Sequence, residues 1–168
     1  MTRPTGRYAA ALVYAVPVLA ALAQLSWMPR LSPAAYPNLC VIAVAAWTWA
    51  RGTRPALGWA VAAGLVLDLG SSGPVGPHAL ALLAAAYAAG LVVTTIDGGP
   101  LVLPISAGVA TIAYGLTLLL VSGLLREAPS LHANAGWIAW TAVWDTILAP
   151  VAVLLVTRAD RALAALRW

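Results

Sequence analysis

The chain has 168 residues, 62% hydrophobic and 8% charged, with a mean hydropathy of +0.91 and a net charge of +4. A soluble domain needs about 25% charged residues to cover its surface, so a soluble globule is excluded and an integral membrane protein is expected. The nine basic residues are all Arg, set at the edges of apolar runs with no interleaved aromatics, which gives no nucleic-acid interface.

Charges, prolines and glycines cut the chain into six apolar stretches, at about 8–28, 34–50, 55–70, 78–96, 101–125 and 137–157. They predict an all-α integral membrane fold, a six-transmembrane-helix bundle forming a single domain over residues 1–168. Crossing the hydrocarbon core takes about 20 residues. The second and third stretches have only 17 and 16. Sixteen residues rise about 24 Å, so these two stand nearly upright or leave an end recessed in protein, a re-entrant hairpin being the alternative.

The first stretch follows Arg3 and Arg7 and contains Ala21-Leu22-Ala23, which resembles a signal cleavage site. The apolar run continues to Met28, so a retained span is expected. Pro17 in this stretch and Pro150 in the last each remove a backbone bond and favour a kink. The second stretch holds the single Cys40, which permits no internal disulfide or metal cluster. Trp47, Trp49 and Trp59 flank the Arg51 to Arg54 turn as an inner aromatic belt would. Trp27, Tyr36, Trp137 and Trp140 fall at the expected outer interface, and Trp144 is deeper, as a packing residue.

With six spans, Arg3, Arg7, Arg51, Arg54, Arg158, Arg161 and Arg167 share one side, leaving Arg30 and Arg126 on the other. This asymmetry puts both termini in the cytoplasm. The connections are short, the longest being about residues 126–136 on the outer side. Function is therefore expected on helix faces.

The third stretch carries Asp68 near its end, with no Arg or Lys within ten residues on either side. A carboxylate in the membrane costs about 2.5–3.5 kcal/mol, and the C-terminal end of a helix dipole disfavours it further. Gly70, Ser71, Ser72 and Gly73 follow, and Gly76 lies just beyond. These residues offer backbone N–H groups, two hydroxyls and the freedom to turn back. Asp68 is therefore expected to accept hydrogen bonds from this polar turn and pin the connection to the fourth helix. On that reading Asp68→Asn is mild and Asp68→Leu severe.

The fifth stretch carries Gly108, Thr111, Gly115 and Ser122 on one helical face. Small residues let membrane helices approach closely, so this face either packs inside the bundle or docks a partner's transmembrane helix; it is taken as the partner-binding face. The sixth stretch contains the second intramembrane acid, Asp145, about 12 Å below the expected outer surface. His78 and His132 sit at loop edges, and no metal-ligand spacing or nucleophile–base pair is visible. Neither an enzyme, a metal nor a cofactor is expected.

From Tyr36 to Gly90, YPNLCVIAVAAWTWARG and GWAVAAGLVLDLGSSGPVGPHALALLAAAYAAG resemble the rod shape-determining protein MreD family. The shared features are Pro37-Asn38 opening the second helix, Gly64 to Asp68, the Gly/Ser loop, and Gly76 before the fourth helix. Asn38 departs from the commoner acidic residue. The resemblance implies a non-catalytic multi-pass scaffold of the bacterial inner membrane. Such proteins associate with the bitopic protein MreC, and through it with RodA, a class-B penicillin-binding transpeptidase and MreB. It also implies an architecture similar to the S-components of energy-coupling-factor transporters. That makes a substrate-binding S-component of a vitamin transporter the alternative function.

Overall fold

The computed structural model describes residues 5–31, 36–96, 99, 101–125 and 131–165. Among these residues it is all-helical: α1 (Thr5–Ser26), the single turn α2 (Met28–Leu31), α3 (Leu39–Arg51), α4 (Thr53–Gly70), α5 (Pro77–Thr95), α6 (Val102–Leu124) and α7 (Leu131–Ala165). The six longer helices lie on the six apolar stretches. Three helices are long and apolar enough to cross a membrane, over Pro77–Thr95, Val102–Leu124 and Asn134–Leu155. Tyr14–Ser26 and Leu39–Arg51 are apolar but shorter.

Two boundaries differ from expectation, each for a local reason. α3 starts at Leu39 rather than 34, because Asn38 adopts an extended conformation and its side chain accepts from the Val41 N–H. Its 13 residues rise about 20 Å, well short of the hydrocarbon core of about 30 Å. α7 has 35 residues and is continuous through Pro150, as α1 is through Pro17. It also takes in residues 131–136 of the expected outer loop; residues 126–130 lie outside the described ones. Between α3 and α4 only Gly52 intervenes, at φ 88°, in the left-handed region open to glycine.

Small residues build the interior. Ala81, Ala85 and Ala89 on α5, Ala56, Ala60 and Ala63 on α4, and Ala107 and Ala110 on α6 are fully buried. Large apolar side chains face outward, among them Leu69, Leu91, Leu116, Leu120, Leu154 and Leu155. This is the arrangement lipid favours, since close backbone approach, not removal of oil from water, holds membrane helices together. α5 packs against α3, α4 and α6.

The aromatic residues correct two expectations. Trp47 and Trp59 are buried and stacked face to face, with centroids 4.2 Å apart and planes 8° from parallel. They join α3 to α4 beside the Gly52 turn, so only Trp49 of the expected inner belt is exposed. Trp144 is 45% exposed and does not pack inside. Trp27 and Trp140 face outward, while Tyr36 and Trp137 are half-buried.

Candidate functional site

The first turn of a helix leaves N–H groups without intrahelical partners. α5 opens with Gly76 as N-cap, which has no side chain to offer, and Pro77 as first residue. Gly76 has φ 124°, a conformation open to glycine. The missing cap comes from the preceding helix. Gly76 N–H donates to Asp68 Oδ2 at 2.9 Å, Ala79 N–H to the same oxygen at 3.3 Å, and His78 N–H to Oδ1 at 2.9 Å. His78 Nδ1 also lies 3.3 Å from Oδ1. Asp68 is 1% exposed. It stands at the unfavourable end of the α4 dipole and at the favourable end of the α5 dipole.

Gly64 makes this reach available. It lies one turn before Asp68 on the same face, and a Cβ there would overlap the backbone of Ala79. The Gly64-to-Asp68 spacing thus brings two helix backbones into contact and places the carboxylate over the first turn of α5.

The donors differ from those expected. Ser71 turns its N–H and hydroxyl to the Asp68 backbone carbonyl, at 3.2 and 2.9 Å, not to the carboxylate. Ser72 and Gly73 are exposed, and Gly70 lies against Leu25. Of the expected polar turn, only Gly76 reaches the carboxylate. The reason is that the turn after a helix presents its N–H groups to that helix's last carbonyls.

Asp145 solves the same problem for α3. Asp145 is fully buried, and its Oδ1 accepts from the Asn38 N–H at 2.7 Å. Its Oδ2 accepts from the Thr111 hydroxyl at 2.5 Å. Asn38 Oδ1 accepts from Val41 N–H at 3.2 Å, and Gln24 Oε1 accepts from Leu39 N–H at 2.8 Å. Three side chains, from α1, α7 and the N-cap, therefore satisfy the start of α3, the shortest of the six longer helices. In a bilayer such groups have no water to turn to. His78 lies edge-on to Tyr114, with centroids 6.3 Å apart, so the two caps occupy one end of the bundle.

Sequence reasoning placed Pro37-Asn38 at the opening of the second helix only through the family resemblance, and it gave Gln24 no role. Asn38 before an apolar run is an N-cap signal and marks the start of α3. No local signal pairs Asp145 with Asn38, 107 residues away, or with Thr111, 34 away.

The expected partner-binding face of α6 is largely covered by α7. Thr111 bonds Asp145, and a Cβ on Gly115 would press on Ile138 at 2.7 Å. Gly108 lies close against Thr146, and beside this contact runs an apolar groove of about 420 Å³ lined in part by Ile105, Val109, Ile112, Val143 and Ile147. Ser122 lines a separate pocket beside Trp137. The four residues thus share a face, as the spacing implies, and that face meets the chain's own last helix.

No curated protein and no solved structure matches the chain. The family model for rod shape-determining protein MreD matches residues 7–159, well beyond the stretch that carried the resemblance. A chain matched over nearly its whole length, with its two caps at positions inside the match, belongs to the MreD family, a membrane-associated family of rod shape determination.

Proposed function

We propose that this chain is a non-catalytic, six-span scaffold of the bacterial inner membrane with both termini in the cytoplasm. It docks an MreC-like bitopic protein and, through it, RodA and a class-B penicillin-binding transpeptidase of the elongation machinery, with MreB on the cytoplasmic side. The intramembrane carboxylates serve helix caps rather than an exposed reactive centre. The observation that supports docking is the apolar α6–α7 groove beside Gly108, on the small-residue face. Its Ile/Val lining beside a glycine suits a single transmembrane helix packing there.

The test is capture of the bitopic partner by tagged chain from native membranes. Gly108→Leu fills the groove; its Cβ meets the Thr146 hydroxyl oxygen at 2.7 Å, which must give up its bond to the Ala142 carbonyl to turn aside. Capture is expected to fall about tenfold, with folded yield retained. Leu120→Ala, on the exposed outer surface of α6, is expected to capture normally. Undiminished capture by Gly108→Leu rejects this groove as the docking site.

A further inference from the structure

Beside the two caps lies a cavity of about 170 Å³, lined in part by Gln24, Tyr36, Asn38, His78, Tyr114 and Trp137. A second pocket of about 290 Å³ shares the Trp137 and Leu118 walls. The scaffold reading uses neither.

The wall is uncharged except for what His78 carries. Among its lining residues there is no Arg or Lys, and both carboxylates behind it already have donors on each oxygen. An anion would find no cationic partner, and a cation no free carboxylate. The amide oxygens are also engaged: Gln24 Oε1 by Leu39 N–H and Asn38 Oδ1 by Val41 N–H. The Gln24 side chain therefore faces a ligand with its NH2 donor. His78 has Nδ1 buried 3.3 Å from Asp68, which leaves Nε2 as its accessible nitrogen. The Tyr36 hydroxyl and the Trp137 indole N–H add further donors.

These groups come from α1, the segment before α3, α5 and α7, so they surround a ligand rather than lie in one plane. Aromatic faces stack on rings, and their polar edges hydrogen-bond. An apolar cavity of about 150 Å³ holds one six-membered ring, so this one admits a single ring, and the adjoining pocket takes a substituent or chain. Hydroxyls disposed around a saturated, uncharged ring match such a wall. We propose that this cleft binds a neutral glycosyl ring, either a free sugar or the headgroup of a glycolipid. The scaffold reading stands or falls independently of it.

The test uses the full chain in nanodiscs of phosphatidylglycerol and phosphatidylethanolamine, kept free of glycoside detergents. Equilibrium dialysis measures radiolabelled glucose, N-acetylglucosamine, glucosamine and glucuronate. A neutral sugar is expected to bind saturably, and the cationic and anionic sugars at least tenfold more weakly. Trp137→Ala is expected to weaken binding about tenfold and Tyr36→Phe by a smaller factor. Trp144→Ala, on the exposed surface, leaves it unchanged. Nanodiscs doped with monoglucosyldiacylglycerol separate the two sources: displacement of free sugar identifies a lipid headgroup, and none identifies the soluble sugar. The proposal is overturned if no neutral sugar or glycolipid binds. Equal binding of the charged sugars overturns it too, as does normal binding by both Trp137→Ala and Tyr36→Phe.

Discussion

Asp68 and Asp145 are both buried acids that cap the start of another helix, but they reach it by different routes. Asp68 takes its donors from residues 8, 10 and 11 positions ahead, across one connection. Asp145 takes its donors from Asn38 and Thr111, 107 and 34 residues back, and so ties α7 to α3 and α6. The first pins a hairpin of neighbouring helices. The second closes the bundle. The difference also decides what each loss exposes, because the donors to Asp68 are three backbone N–H groups, while one of the two donors to Asp145 is a hydroxyl with another acceptor.

The largest contrast is expected on removing each carboxylate. Asp68→Leu leaves three partly buried N–H groups unpaired, and at about 1 kcal/mol or more each the loss is about 3 kcal/mol. Asp145→Leu leaves one, the Asn38 N–H, because Thr111 can turn its hydroxyl hydrogen to the Ala107 carbonyl, 3.0 Å away; about 1–3 kcal/mol is expected. Thermal unfolding and monodisperse yield in one detergent check this. Equal losses, or a greater loss for Asp145→Leu, would break the comparison.

Amide substitutions sharpen it and revise the expectation that Asp68→Asn is mild. Both oxygens of Asp68 face backbone N–H groups, which cannot reverse their polarity. An Asn there must set its NH2 against one of them, at a cost of about 1–3 kcal/mol. At position 145 the amide oxygen can accept from Asn38 while the NH2 donates to the Thr111 hydroxyl oxygen, whose own hydrogen goes to Ala107. Asp145→Asn is expected to lose less than about 1 kcal/mol. Melting shifts of the two amide variants in parallel are the measurement, and a reversed order would mean that the donors to Asp68 are not those seen here.

The same contrast explains what could be read in advance. Alternation of apolar runs with Arg, Pro and Gly located the helices because the bilayer imposes their length and composition. Asp68 was legible as a held carboxylate because its glycines, serines and the next helix are adjacent in sequence. Gly76 was among its expected donors, but His78 and Ala79 were not, since Gly76 and Pro77 show a helix start without showing which side chain caps it. The role of Asp145 was not legible, because pairing across 107 residues depends on how α7 lies against α3. The small-residue face of α6 was visible, but its occupant was not. Any helix with a complementary surface fits such a stripe, and α7 is supplied by the chain itself.

The smallest effect tests whether the two caps are separate. The Thr111 hydroxyl has one hydrogen and two acceptors in range, Ala107 O and Asp145 Oδ2, and the shorter bond goes to the carboxylate, as charge-assisted bonds do. Thr111→Val removes that donor, and with Asn at 145 it also removes the hydroxyl acceptor for the new NH2. Residues in contact couple by about 0.5–3 kcal/mol, so Thr111→Val with Asp145→Asn is expected to be non-additive on that scale. Thr111 and Asp68 share no hydrogen-bond partner. Thr111→Val with Asp68→Asn is therefore expected to add within about 0.5 kcal/mol. Equal coupling in both cycles would make the polar end of the bundle one network, with Tyr114 and His78 as the bridge, and each single loss would then have to be reassigned to the whole.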